Sequence, residues 1–435
     1  METRNIGNII INDELYPRDR IEQDKVIEYS QCISLLPPIE INQDNILIDG
    51  AHRYWAHKRA NQEKINVVVT KTIDDDDLFL KAIEANSQHG IALDNRTKKK
   101  LVVRLYSKLL SGEVKYDVDR LKKSFSIPDS TFSDWTKQLN EELESQRLEK
   151  ILDLHLQCKT QQQIADEVGF ETHKPVGTKL TEIQRIIDGM FQNPNSEFGT
   201  KYQFLREKVN KLLEFKPMLY NIWNISSISN DYKYYGNIPV EFLHNLLYYY
   251  TEPFDIVYDP FAGGGITIDA CKKWLRKYYV SDRKPIELRS NEIKNWDIKD
   301  GLPKDLPSPK LVFLDPPYWK QAENQYSSDK EDLANMSIED FYSSIGMLIK
   351  NLKQKMKSGS YIALIIQSTQ WKNNLKLEDH QYEIQRMFRE LGFEFEQRII
   401  CPYSTEQYIA QQVEKAKENK ICLQIYRDLL IFRKR

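Results

Sequence analysis

From about residue 255 onward, short apolar runs alternate with longer amphipathic stretches, the pattern of strands buried on both faces and separated by helices. The runs Ile256-Val257-Tyr258, Tyr278-Tyr279-Val280 and Leu311-Val312-Phe313-Leu314, and residues 359–366, read as strands. Residues 338–352 and 381–391 read as helices, the second stopped by Gly392. Residues 393–401 and 422–432 predict an antiparallel pair that completes the sheet. Two prolines close the 311–314 run, and neither can donate a ladder hydrogen bond. The chain therefore turns at Pro316. Asp315, the Pro316 carbonyl, Pro317 and the Tyr318 ring are left outside the carboxyl end of a strand, where open α/β sheets place their ligands. Upstream, Asp259-Pro260-Phe261-Ala262-Gly263-Gly264-Gly265 takes a strand through a glycine turn into a helix. Glycines there let the backbone approach a ligand closely. No Lys-Ser or Lys-Thr follows them, which argues against a phosphate-cradling loop.

The first half has a different texture. Residues 1–95 read as a small α/β unit, with strands near 7–11, 35–41, 46–48 and 67–69 and a helix after Gly50. Residues 96–195 are helical and rich in Lys, Gln and Ser, and two helix-turn-helix patterns can be placed there. One comprises 118–125, a turn at 126–129 and 130–137. The other comprises 160–170 and 176–180, with Ala165 small enough for close helix crossing and Gly169 at the turn. In DNA-binding versions the second helix enters the major groove, which makes Ser130, Thr131, Lys137 and Lys179 candidate DNA contacts. Lys98, Lys99, Lys100 and Arg104 are expected to face phosphates or solvent. Residues 196–219 read as a helical linker, and 220–435 as the catalytic domain.

At 435 residues the chain exceeds one hydrophobic core, in keeping with these divisions. A net charge of −2 gives no global basic signature, so nucleic-acid contacts must come from local patches. The five cysteines form no Cys-x-x-Cys pair, which argues against zinc and against a disulfide framework and fits a reducing cytoplasm. No run reaches membrane length, and no metal site is expected; Asp74 to Asp77 read as a solvated helix start. The sequence leaves monomer or homodimer open.

The Asp315-Pro316-Pro317-Tyr318 segment suits the methylation of an amine. The exocyclic amine of adenine or cytosine is a poor nucleophile because its lone pair is delocalised into the ring. A carboxylate and a backbone carbonyl can hold both amine hydrogens and favour a pyramidal nitrogen, so that catalysis is mostly positioning and charge stabilisation. Tyr318 offers a flat face for a base lifted out of its helix, and the loop at 320–336, which Lys320 opens after Trp319, is expected with those two residues to meet DNA and cover that base.

The pair of motifs resembles the cofactor motif (Asp-Pro-Phe-x-Gly-x-Gly) and catalytic motif (Asp-Pro-Pro-Tyr) of amino-group DNA methyltransferases. The resemblance implies a Rossmann-like class I fold using S-adenosylmethionine. It would be bound by Asp259, Pro260, Phe261, Gly263 and Gly265, with Asp282 on its ribose, Asp297 on its adenine and Pro239, which leads a helix, at its methionine end. Asp315 in place of Ser implies N6 of adenine in double-stranded DNA. N4 of cytosine and an RNA guanine amine are the enzymatic alternatives, and a DNA-binding regulatory protein with an inactive methyltransferase fold is the other. Near the N-terminus, Asp49-Gly50-Ala51-His52-Arg53 and the Ala82-to-Gly90 box resemble the ParB N-terminal (sulfiredoxin-like) family, which implies a nucleotide site at Gly50, His52 and Arg53. Neither resemblance gives the recognition sequence or a partner restriction nuclease. The C-terminal half is nearly exhausted by the sheet and its helices, so dedicated sequence readout is expected from the helical region.

Overall fold

Strand formation at the N-terminus is limited by local hydrogen bonding. The computed structural model describes residues 2–12, 21–89, 94–114, 116–193, 202–225, 238–324, 328–370, 376–402 and 408–435. The strand expected near 7–11 lies instead at β1 (Glu2–Asn5), because the Asn5 side chain accepts the Gly7 N–H at 2.9 Å and turns the chain into a short 3-10 segment. Of 35–41, only β2 (Ile39–Ile41) pairs, since Pro37 and Pro38 precede it. With β3 (Leu47–Asp49) and β4 (Lys64–Val69) these strands form a sheet of order β1-β4-β2-β3. Alternation in β4 turns Ile65 and Val67 onto Ile39, Ile41 and Leu47. Helices α1 (Gln23–Ser30) and α2 (Ala51–Arg59) complete this part.

Four helices follow: α3 (Asp75–His89), α4 (Asn95–Leu110), α5 (Val118–Phe125) and α6 (Asp129–Leu156). The Asp74–Asp77 run is not simply solvated. Asp77 is buried and pairs with Arg120 at 2.6 Å, and Asp76 pairs with Lys108 at 2.9 Å, so the run clamps α3 to α5 and α4. Ser126 adopts a left-handed conformation (φ 52°) at the first helix-turn-helix turn. Lys98 donates to the Phe125 carbonyl at 3.2 Å, capping α5.

The chain divides into compact units at Met1–Ser145 and Gln146–Arg435, a division that falls within α6. The expected boundaries near 195 and 219 lie inside the second unit. There, α7 (Gln161–Val168) opens with a Thr160/Gln163 capping box and ends at Gly169 (φ 78°), followed by α8 (Lys174–Gln192) and α9 (Gln203–Leu213). Their buried Ile164, Val176, Ile183, Ile187 and Leu205 belong to the same apolar cluster as Phe242, Val257, Leu275 and Tyr278. The second helix-turn-helix is thus built into the core of the unit that holds the large sheet.

That sheet contains β5 (Ile256–Asp259), β6 (Lys277–Asp282), β7 (Lys294–Asn295), β8 (Leu311–Leu314), β9 (Tyr361–Ile366), β10 (Phe393–Pro402) and β11 (Tyr426–Lys434), in the order β10-β11-β9-β8-β5-β6-β7. All pairings are parallel except those of β11. Helices α10 (Val240–Tyr250) and α11 (Ile266–Lys273) cover one face, and α12 (Ile338–Lys355) and α13 (His380–Glu390) the other. A last helix, α14 (Ala410–Glu418), precedes β11. The fold is the Rossmann-like α/β class, with its switch point between β5 and β8, where connections leave in opposite directions. No helix among the described residues is long and apolar enough to cross a membrane.

Candidate active site

The switch point opens a cleft of about 1110 Å³, counted with its solvent-facing mouth. It is lined by the loop after β5, the ends of β6 and β7, and Phe313, Asp315 and Pro317 at the end of β8. The two sequence motifs, more than fifty residues apart, therefore share one cavity.

The glycine loop is held by carboxylates. Asp259 is 2% exposed; its oxygens accept the Phe261 N–H at 2.9 Å and the Thr267 hydroxyl at 2.5 Å. Asp282 accepts the N–H of Gly263 at 2.9 Å and of Lys284 at 2.8 Å. Both also line the cleft, and an ionised carboxylate has acceptor sites beyond those used. Pro260, Phe261, Gly263 and Gly264 line it too. Gly265 does not: at φ 83° it caps α11, and a Cβ there would lie 2.6 Å from the Arg289 guanidinium. It is a packing glycine rather than a lining one. Likewise Pro239 caps α10, while its neighbour Ile238 lines the cleft. Asp297 lines the far end beside Trp296 and Ile298, accepts the Lys299 N–H at 3.0 Å and pairs with Arg283 at 3.1 Å.

Six carboxylates line the cleft (Asp259, Asp282, Asp297, Asp315, Glu331, Asp332) against the three cations Arg283, Lys284 and Lys299. Burial, with Asp315 and Asp282 nearby, pushes Asp259 up to about 7. Burial also raises Asp282. A site of this sign suits a cationic, hydroxyl-bearing ligand better than a pyrophosphate.

Glu331, Asp332 and Leu333 bring the 320–336 segment onto this same cleft, beside the glycine loop. Arg283 pairs with Asp329, and Lys299 with Glu331 at 3.0 Å. The segment expected over a flipped base thus serves the glycine-loop side, as far as its described residues go; residues 325–327 lie outside them.

At the β8 end, Asp315 accepts the Tyr318 hydroxyl at 3.1 Å, and burial pushes its carboxyl up to about 6 against the pull of Arg427 and Tyr318. Pro316 is buried. Trp319 is not placed to meet DNA: it is 5% exposed, its indole N–H donates to the Met336 carbonyl at 3.0 Å, and its ring packs edge-on against His380. The apolar ring is a core element that pins the motif from beneath. Thr369 donates to the Trp319 carbonyl at 2.9 Å and contacts His380 at 3.0 Å, and Gln321 donates to the Ser368 carbonyl at 2.7 Å. Lys320 adopts φ 55° and lies over the Trp319 ring at 4.5 Å.

The remaining candidates lie elsewhere. Ser130 and Lys137 are exposed and Thr131 half-buried on α6, in the first unit. Lys179 on α8 pairs with Glu182 at 3.3 Å. Gly50 (φ 103°) caps α2, where a Cβ would meet Ile39 at 2.7 Å. Arg53 is occupied by Asp49 at 2.7 Å and by the Pro37 and Pro38 carbonyls, and His52 accepts the Glu22 N–H at 3.0 Å. These bonds fold the segment around itself. Gly90 lies outside the described residues, as do the Asn86 and His89 side chains.

Sequence reasoning missed Arg427, Thr369, His380 and Ile238. Arg427 could have been found from topology: β11 runs antiparallel, so its first residues arrive at the cleft edge of the sheet.

A profile of the DNA methylase family matches residues 121–291, less than half of the chain, spanning the glycine loop and stopping before Asp315. No curated protein matches. Among solved structures, similarity is found to TrmN from Thermus thermophilus (14% identity, 46% of this chain and 50% of that one, TM-score 0.31). A SAM-dependent methyltransferase from Archaeoglobus fulgidus is also similar (16% identity, 45% and 94%, TM-score 0.31). So is the chromosome-partitioning protein ParB from Caulobacter crescentus complexed to the centromeric parS site (15% identity, 47% and 99%, TM-score 0.24). The present chain spans half the length of TrmN. The strand order is by itself that of the Rossmann-like α/β class.

Proposed function

We propose that this protein transfers a methyl group from S-adenosylmethionine to an exocyclic amine in double-stranded DNA, with N6 of adenine as the preferred position. The observation that carries the reading is the shared cleft: a carboxylate-held glycine loop and Asp315 face one cavity at the switch point of the sheet. Its acidic lining fits a sulfonium and an ammonium, and the DNA methylase profile over residues 121–291 supports the substrate class. Asp rather than Ser at position 315 favours adenine over cytosine.

In this reading Gly263, Gly264 and Phe261 lie along the cofactor, with Asp282 toward its ribose and Asp297 toward its adenine. When bound, the cofactor supplies an electrophilic methyl group. The chain's own part is to orient the amine: Asp315 and the Pro316 carbonyl accept its two hydrogens and direct its lone pair, and the Asp315 charge stabilises the cation that develops on nitrogen. The base must leave its stack to reach them, at a cost of about a few kcal/mol, and the Tyr318 ring recovers part of this by stacking. DNA contacts are assigned to the helix-turn-helix region, through Ser130, Thr131, Lys137 and Lys179.

Expression in methylation-free cells followed by sequencing for modified bases tests the reading. N6-methyladenine at a recurring site is expected. N4-methylcytosine would move the target base, and unmodified DNA with full expression would refute the assignment.

A further inference from the structure

We propose that Arg427 is a positioning residue for methyl transfer, acting through the Tyr318 hydroxyl to fix the orientation and charge of Asp315. The inference rests on the reading of Asp315 as the group that holds the amine, and it adds a residue far from either motif.

The geometry follows from the sheet. Asp428 pairs with Ile366, the last residue of β9, so Arg427 lies one position beyond the carboxyl end of the parallel strands. On β8, two strands from β11, Leu314 pairs with Leu364 of β9, which puts Asp315 at the same edge. Arg427 reaches this edge, where its charge acts on Tyr318 and Asp315, and the Tyr318 hydroxyl donates to Asp315 at 3.1 Å. Alternation along β11 turns Asp428 the other way, where Arg398 at 2.7 Å and Gln381 at 2.5 Å take up its charge. Asp315 and Tyr318 are among the groups whose charge acts on Arg427.

Two consequences follow for the chemistry. One Asp315 oxygen is engaged by Tyr318, which leaves the other to accept an amine hydrogen, and a planar guanidinium behind the phenol holds this choice. A fixed positive charge also keeps Asp315 ionised at neutral pH although burial works against it. Among the described residues, the groups facing this set include Asp259 at the end of the neighbouring strand β5 and the Cys401 thiol, which feels the Arg427 charge. Asp259 is raised further by Asp315, and Cys401 stays protonated because burial pushes it up to about 12. Neither supplies a compensating positive charge. The Tyr318 hydroxyl is thus part of the device, and the ring face alone does not account for the residue.

The test is a pH profile of kcat/KM on duplex DNA, with S-adenosylmethionine saturating throughout so that Asp259 does not set the limb, for the full-length wild type, Arg427→Gln, Arg427→Lys and Tyr318→Phe, together with calorimetric binding of S-adenosylmethionine to each. Arg427→Gln is expected to bind cofactor normally while its acid limb moves up by about one pH unit or more. Its plateau should fall roughly tenfold or more through misplacement of Asp315. Arg427→Lys should keep the limb near its wild-type position, and Tyr318→Phe should move it upward with a loss in kcat rather than in KM. An unmoved limb in Arg427→Gln overturns the proposal, whatever the plateau does. Should that variant fail to bind cofactor, the other two decide: a shifted limb in Arg427→Lys or an unmoved one in Tyr318→Phe overturns it. Asp315→Asn separates the two levels. Full activity there refutes the underlying reading, whereas an inactive Asp315→Asn with an unmoved Arg427→Gln limb removes only the role of Arg427.

Discussion

A fragment beginning at residue 220 should fold much less stably than one beginning at 146. The helices between these points share the core of the sheet: Trp274, 3% exposed, packs edge-on against Phe215 with ring centroids 4.7 Å apart, and Phe254 packs against His155 at 5.6 Å. Asp153 pairs with Lys272 at 3.5 Å, and Lys208 donates to the Lys272 carbonyl at 3.1 Å. Removing the helices uncovers Trp274 and part of Phe254, costing about 3–5 kcal/mol from these two side chains at about 1.5–3 kcal/mol per fully buried one. That is a large part of a domain margin of about 5–15 kcal/mol. At about 2–4 °C per kcal/mol the midpoint should drop by roughly 6–20 °C. Thermal melts of the two fragments, followed by circular dichroism and by near-ultraviolet tryptophan signals, provide the assay. A 220–435 fragment melting cooperatively within about 2 °C of 146–435 would refute the argument that α6 to α9 are part of this core.

Trp319→Ala should act on stability, costing about 3–5 kcal/mol in urea titrations, because a buried ring is lost; an unchanged midpoint with weakened DNA binding would return Trp319 to the substrate surface. Gly265→Ala should cost about 3–5 kcal/mol, combining the left-handed strain of a Cβ with a charged hydrogen bond lost when Arg289 is displaced; a stable variant would show that the loop relaxes freely. Cofactor affinity should fall as pH drops through about 7, because Asp259 is protonated below its raised value and a cation favours the ionised form, so binding must release a proton. Calorimetry in buffers of different ionisation heat measures that release, and an affinity constant from pH 5.5 to 8 would count against the acidic cleft as its cause.

How much of this was legible beforehand depended on range. The strand ended by two prolines, the glycine turn after β5 and the order of α/β elements follow from apolar runs and residues with few backbone options, so the large sheet and its switch point could be read directly. Asp259, Asp282 and Asp315 could be picked out because strand ends in such folds face one crevice. Tertiary structure decided the rest, since it depends on partners remote in the chain. A helix-turn-helix pattern specifies two helices but not what their apolar face covers, and here it packs into the core that holds the large sheet. A tryptophan after Asp-Pro-Pro-Tyr reads equally as substrate platform or core, and only the positions of Met336 and His380 bury it. Gly265 and Arg53 are fixed by Arg289 and by the Pro37 and Pro38 carbonyls, and Arg427 meets Tyr318 through strand order alone. Local propensity sets where the chain turns; which side chains then meet is set by packing, whose energies act between residues that the sequence keeps far apart.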